Sequence, residues 1–169
     1  QPAVFEIRRG KSGIQRSSGE WVPLTDSRVK VVVPMMGRYG TPLLARAFAR
    51  RGVRAEALPP ADEEMLKLGR GNSSCKECLP LQTTIGSLLH YLRHRPQDEI
   101  TAYFMASADG PCRFGVYNLL NRIVLERLGW SDRIRIWSPK DTGYFEDLPA
   151  GTEMLMLAGI VASDVLVQA

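Results

Sequence analysis

Val29-Lys30-Val31-Val32-Val33-Pro34-Met35-Met36-Gly37-Arg38-Tyr39-Gly40-Thr41-Pro42 is the stretch that decides the fold. Its opening is β-branched and nearly continuous, the pattern of a strand buried on both faces in a parallel sheet rather than one with a wet side. Gly37 and Gly40 mark the turn that follows. Thr41 sits where an N-cap belongs and Pro42 where the first helical residue belongs, because the first-turn N–H groups have no partners in the helix and proline has none to lose. Leu43, Leu44, Ala47 and Phe48 then recur on one side of a helix predicted to run to about Arg51, with Gly52 at its end. Val53–Leu58 reads as the next strand, which makes a βαβ unit.

Outward from that unit the alternation continues. Asp62–Leu68 is predicted as a short helix ended by Gly69-Arg70-Gly71. Leu81, Ile85, Leu88, Leu89 and Leu92 give helical spacing from about Pro80. Ile100–Ala106 is the third strand of this region, and Arg113–Leu128 a long helix with Val116, Leu119, Leu120, Ile123 and Val124 inward. Arg133–Trp137 is the fourth strand and Thr152–Val167 the last helix. Residues 1–28 read differently, as a short β-rich lead-in or linker: Val4–Arg8 is a strand candidate, while Lys11-Ser12-Gly13 and Ser17-Ser18-Gly19 read as turns. The expected class is α/β, a Rossmann-like parallel sheet of about four strands with helices on both faces, joined by right-handed crossovers. Ligands in such sheets gather at the carboxyl ends of the strands, here the loops 34–41, 59–62, 107–112 and 138–144. Trp21, Trp130 and Trp137 read as packing anchors.

The chain has 169 residues, 44% hydrophobic and 24% charged, enough for one core without a disulfide framework. No apolar run approaches the ~20 residues of a membrane span, and the composition is not that of a disordered chain. The 22 Lys+Arg exceed the 18 Asp+Glu by a local excess. Arg46, Arg50 and Arg54 would share a helix face with no aromatic interleaved to stack on bases, so a solvated face is favoured over a nucleic-acid surface. Without a secretory segment, an odd count of three cysteines points to a reducing, cytoplasmic setting, where clustered thiols serve as metal ligands or redox groups. Gln1 at the start and an apolar end at Val165-Leu166-Val167 raise the expectation of a piece of a longer protein.

All three cysteines fall just before predicted helices: Cys75 and Cys78 ahead of Pro80, Cys112 between the third strand and its helix. A helix N-terminus stabilises thiolate through its free N–H groups and dipole. Four readings fit the spacing. Three thiolates suit an iron–sulfur cluster with one open iron. A zinc site would need a fourth ligand, with His90 or His94 in the following helix, although both flank its exposed end. Cys75 and Cys78 could form a thiol–disulfide redox pair, or the cysteines could be unrelated thiols. Arg113 beside Cys112 could offer charge-assisted hydrogen bonds to cluster sulfur or an anion. Arg38 could face the same edge, as could Lys140, Asp141 and Tyr144; Ser73 and Ser74 read as polar residues at a helix start.

The strings Gly71-Asn72-Ser73-Ser74-Cys75-Lys76-Glu77-Cys78-Leu79-Pro80 and Ala108-Asp109-Gly110-Pro111-Cys112-Arg113-Phe114-Gly115-Val116-Tyr117-Asn118 resemble the two cysteine motifs of the 2-hydroxyacyl-CoA dehydratase superfamily. The resemblance is greatest to the cysteine-containing region of large CoA-substrate-specific enzyme activases linked to ATPase modules, and it covers about residues 29–169. It implies a Rossmann-like lobe that holds a [4Fe-4S] cluster and handles low-potential electrons. Cys78 and Cys112 match the motifs best and Cys75 less well, and Arg38 and Arg113 would lie beside the cluster. The partners implied are the remaining domains of the parent chain with their ATPase modules, a dehydratase or reductase, and a second copy in a homo-oligomer; neither nucleic acid nor a membrane is expected. No phosphate loop is visible, so no ATP site is predicted in this chain and activity alone is not expected of it.

Overall fold

A computed structural model describes residues 4–8, 11–74, 76–132, 134–138 and 150–168. The chain opens with β1 (Val4–Arg8), β2 (Lys11–Gln15) and β3 (Trp21–Pro23), an antiparallel sheet in sequence order. Then come β4 (Val29–Val33), α1 (Gly40–Ala49), β5 (Ala55–Ala57), α2 (Glu63–Gly71), α3 (Leu79–His94) and β6 (Ile100–Phe104). A 3-10 turn at Arg113–Val116 leads into α4 (Tyr117–Arg127), followed by β7 (Ile134–Trp137) and α5 (Thr152–Gln168).

The second sheet is parallel throughout, in the order β5-β4-β6-β7. Val31 of β4 stands opposite Ala55 of β5 and Ala102 of β6. Because successive strand side chains alternate between faces, Val31 and Val33 belong to one apolar cluster and Val32 to another. On the first face Phe48 of α1 and Met156 of α5 pack with Phe104 and Trp137, whose rings meet edge-on at 5.2 Å. The second face carries α3 and α4, with Leu81, Ile85, Leu88, Val124 and Leu125 against Tyr103 and Ile136. Trp137 is 2% exposed and anchors the first cluster; Trp21 and Trp130 are half-buried. Ile14, Val22 and Leu24 join that first cluster, so the N-terminal residues contribute to the same core as the parallel sheet. Among the described residues no helix is long and apolar enough to cross a membrane.

The strand order places a topological switch between β4 and β6. The chain leaves β4 toward β5 and returns across it to β6, so the loops after β4 and β6 diverge there, where a ligand crevice is expected.

Several local expectations shift. Helix α1 begins one residue before Thr41, whose hydroxyl accepts from the N–H groups of Met36 (3.0 Å) and Gly37 (3.2 Å), tying down the loop instead of capping the helix. It ends at Ala49, with Gly52 in a left-handed conformation, so Arg54 lies beyond the helix carrying Arg46 and Arg50 and donates to the Ser27 carbonyl. Lys11-Ser12-Gly13 is strand, not turn: Gly13 lies so close under Trp21 that a Cβ would stand 2.5 Å from the indole. Helix α2 runs through Gly69 and Gly71 rather than ending before them. Gly69 serves a close helix crossing, for a Cβ there would stand 1.8 Å from the Gln82 carbonyl of α3. In α4 the buried residues are Tyr117, Asn118, Asn121, Val124 and Leu125, whereas Val116, Leu119 and Ile123 are exposed, so of the predicted inward set Val124 is fully buried.

Candidate functional site

Cys78 and Cys112 occupy equivalent places in the fold. Each is the extended residue before a helical turn, Cys78 ahead of α3 and Cys112 ahead of the 3-10 turn. The carbonyl of Cys78 accepts from Leu81 (3.1 Å) and Gln82 (3.2 Å), and that of Cys112 from Gly115 (3.3 Å). Pro80 in the first turn of α3 stiffens one entrance. Gly115 shapes the other: a Cβ there would stand 2.6 Å from the Ala108 carbonyl, so the loop after β6 can fold onto the 3-10 turn only with glycine at that position. The Ser107 hydroxyl closes the same loop by donating to the Gly115 carbonyl (3.2 Å).

Tyr117 joins the two entrances. Its hydroxyl lies 2.7 Å from Cys78 Sγ, while its ring is buried and meets Phe114 edge-on at 5.2 Å. Asn121 Nδ2 donates to the Tyr117 carbonyl (2.7 Å), which fixes the first turn of α4. Burial, the hydrogen bond to Cys78 and the negative charges of both Cys78 and Cys112 raise the Tyr117 phenol. The hydroxyl and the sulfur share one hydrogen bond.

Burial works to raise the Cys78 thiol. It is outweighed by the Tyr117 hydroxyl, the backbone N–H groups of Leu81 and of Cys78 itself, and the positive charge of Arg113, so the thiol lies below its ordinary value. This is how a helix entrance with a nearby cation favours thiolate. Arg113 also donates to the Lys76 carbonyl, which clamps the segment before α3 to the one after β6. The Glu77 carboxylate accepts from the Ser74 N–H (2.9 Å) and hydroxyl (2.7 Å). The Ser74 hydroxyl is the largest influence lowering the Glu77 carboxyl.

Between the two cysteine-bearing segments runs a groove of about 410 Å³, lined among others by Lys76, Arg113, Val116, Leu119, Leu120 and Ile123. Of the apolar stripe read from the sequence of this helix, Val116, Leu119, Leu120 and Ile123 line this groove, while Val124 is buried in the second cluster and Leu120 also packs against it.

The predicted site residues divide. Arg113, next to Cys112, reaches the Lys76 carbonyl and so brings the two cysteine segments together, with Cys78 half-buried and Cys112 exposed. Arg38 lies in the loop after β4, on the switch-point edge, with its guanidinium over the Tyr39 ring at 5.4 Å. The rings of His90 and His94 lie 4.4 Å apart in the last turns of α3, roughly 16 Å or more along the helix axis from its start. They do not supply the ligands a zinc site at Cys78 would need. Cys75, Lys140, Asp141 and Tyr144 lie outside the described residues. Among the described residues no group of three or more His, Cys, Asp or Glu side chains is placed to hold a metal ion. Tyr117 is the residue at these cysteines that motif reading passes over. The available signal was a tyrosine one to two turns beyond Cys112, in reach of whatever that cysteine's helix entrance faces.

No family model, curated protein or solved structure matches this chain.

Proposed function

We propose that this chain is the [4Fe-4S] cluster-binding domain of an ATP-dependent activase or dehydratase-type system, used in low-potential electron transfer or in the radical dehydration of a 2-hydroxyacyl-CoA. The observation that carries the reading is the contact of Cys78 Sγ with the Tyr117 hydroxyl at 2.7 Å, together with the hydrogen bond by which Arg113, next to Cys112, holds the Lys76 carbonyl two residues before Cys78. The resemblance of their flanking motifs to the dehydratase superfamily supports it. The donor set fits: soft sulfur ligands, with Cys78 at a helix entrance that lowers its thiol, are what iron–sulfur clusters take from proteins. Cys78 and Cys112 would hold the group, and Cys75, three residues before Cys78, is the third ligand in this reading. Such a cluster, when bound, supplies one-electron transfer at low potential. The chain's own residues do the rest. Arg113 joins the two cysteine segments and offsets negative charge at the Cys78 sulfur, and the Tyr117 hydroxyl is hydrogen-bonded to Cys78. ATP hydrolysis is assigned to modules of the parent chain, and the electrons to a dehydratase or reductase partner.

Anaerobic reconstitution with ferrous iron and sulfide tests the reading. The expected product is brown, absorbs near ~400 nm as Fe–S chromophores do, and contains iron and acid-labile sulfide in equal amounts. Cys78→Ser and Cys112→Ser should each abolish uptake. A colourless protein that takes up one zinc and no iron under the same anaerobic conditions would overturn it.

A further inference from the structure

We infer that Tyr117 is a positioning residue for the Cys78 sulfur, its hydroxyl drawing charge off that sulfur both in the free thiolate and when the sulfur ligates a metal; the second half rests on the cluster reading above. The geometry is specific. The hydroxyl is 2.7 Å from Sγ. It is carried by a ring 5% exposed, braced edge-on by Phe114 at 5.2 Å, on a helical turn whose backbone Asn121 holds at 2.7 Å. A hydroxyl so confined cannot swing to solvent. Tyr117 comes from α4 and Cys78 from the start of α3, so the bond also ties the two helices that cover this face of the sheet. Hydrogen bonds to ligating sulfur make a cluster easier to reduce, because they stabilise the more negative reduced state.

Tyr117→Phe removes the oxygen and leaves the ring, the Phe114 contact and the Asn121 bond in place, so the variant should unfold at close to the wild-type temperature. Two readouts follow. In the reduced, metal-free protein, alkylation of Cys78 by iodoacetamide at neutral pH, resolved from Cys112 by peptide mass spectrometry, should slow about threefold. The sulfur loses the hydroxyl that draws charge off it, and a gain in intrinsic nucleophilicity, with a Brønsted slope of roughly 0.4–0.5, offsets only part of that loss. In the reconstituted protein the reduction equilibrium should fall about tenfold, equivalent to a midpoint more negative by about 59 mV for one electron. Phe114→Leu keeps the hydroxyl but loosens its brace, and should give smaller changes of the same sign. Unchanged or faster Cys78 alkylation in Tyr117→Phe overturns the inference, as does an unchanged midpoint in a protein that binds its cluster. Threefold slower alkylation in a chain that takes up no cluster upholds the role of Tyr117 on the thiolate and removes the cluster reading alone.

Discussion

Gly86→Ala puts two opposing effects on one atom. Gly86 lies in the middle of α3, where alanine in place of glycine ordinarily stabilises a helix by about 0.5–1 kcal/mol. Here, however, α2 crosses α3 backbone to backbone. A Cβ on Gly86 would stand 1.7 Å from the Met65 carbonyl oxygen and 2.6 Å from its carbon, and a Cβ on Gly69 would stand 1.8 Å from the Gln82 carbonyl. Neither neighbour is a side chain that can rotate away. Ordinary contact begins near 3.4 Å, so the two helices must part by roughly 1.5 Å along a seam otherwise packed at crystal-like density. Met65, 4% exposed, is lifted from its place beside Ser87, whose hydroxyl now reaches Sδ at 3.6 Å. Overpacking of this kind costs about 1–3 kcal/mol, and a backbone clash belongs at the upper end. At about 2–4 °C per kcal/mol for a chain of this size, Tm should fall by roughly 5–10 °C. Thermal and urea unfolding followed by circular dichroism measure it. The Gly69→Ala/Gly86→Ala double variant should cost less than the two single changes summed, because the first substitution already opens the gap that the second needs. A Gly86→Ala protein that melts at or above the wild-type temperature would refute the close crossing and leave helix propensity as the governing term.

Two further outcomes are expected. Burial and the bond from its hydroxyl to Glu99 Oε1 (2.6 Å) raise the Tyr91 phenol far above its ordinary value of 10.0. A group raised in the folded state contributes stability that is complete below its unfolded pKa and is lost as the pH climbs toward the folded one. Urea stability should therefore decline above about pH 10, less steeply in Tyr91→Phe, where Thr101 still donates to Glu99 Oε1 at 3.1 Å; equal slopes would sink the assignment. Gly115→Ala drives a Cβ to within 2.6 Å of the Ala108 carbonyl, so the loop carrying Cys112 must move. Iron uptake after anaerobic reconstitution should drop with little change in far-ultraviolet circular dichroism, and full uptake would show that the Cys112 loop does not depend on this contact.

Much of the fold is legible because the decisive strand is unambiguous. Four valines with one half-buried lysine admit little but a strand covered on both sides, and Lys30 fits because its amine pairs with Glu56 and lies over the Tyr91 ring at 5.4 Å. The glycines are harder to read. Gly52 punctuates a helix end as its type suggests, but Gly69 sits inside α2 and Gly13 inside β2 because something else approaches closely, and one sequence cannot distinguish glycine chosen for its dihedral angles from glycine chosen for its missing Cβ. Thr41 is a similar case. Its capping chemistry is used, but on the loop behind it.

The candidate site was half legible for a related reason. Cysteines followed by Pro80, or preceded by Gly110-Pro111, announce a helix entrance whatever the sheet does, so Cys78 and Cys112 could be placed from sequence. Tyr117 could not, because periodicity turned Val116, Leu119 and Ile123 inward along with Leu120 and Val124, and only the last two meet the core. The stripe Val116, Leu119, Leu120 and Ile123 is more apolar than the face actually turned inward, which includes Asn118 and Asn121. A hydrophobic pattern reports which residues share a side, and only the packing says whether that side meets the sheet or a groove. The two sides differ by one residue, about 100° of helix rotation. Were the stripe turned to the sheet, that rotation would carry the Tyr117 hydroxyl away from Cys78. The exposed apolar wall of the groove and the tyrosine–cysteine bond are thus two consequences of a single helix phase, and a change that removes one by turning α4 must remove the other.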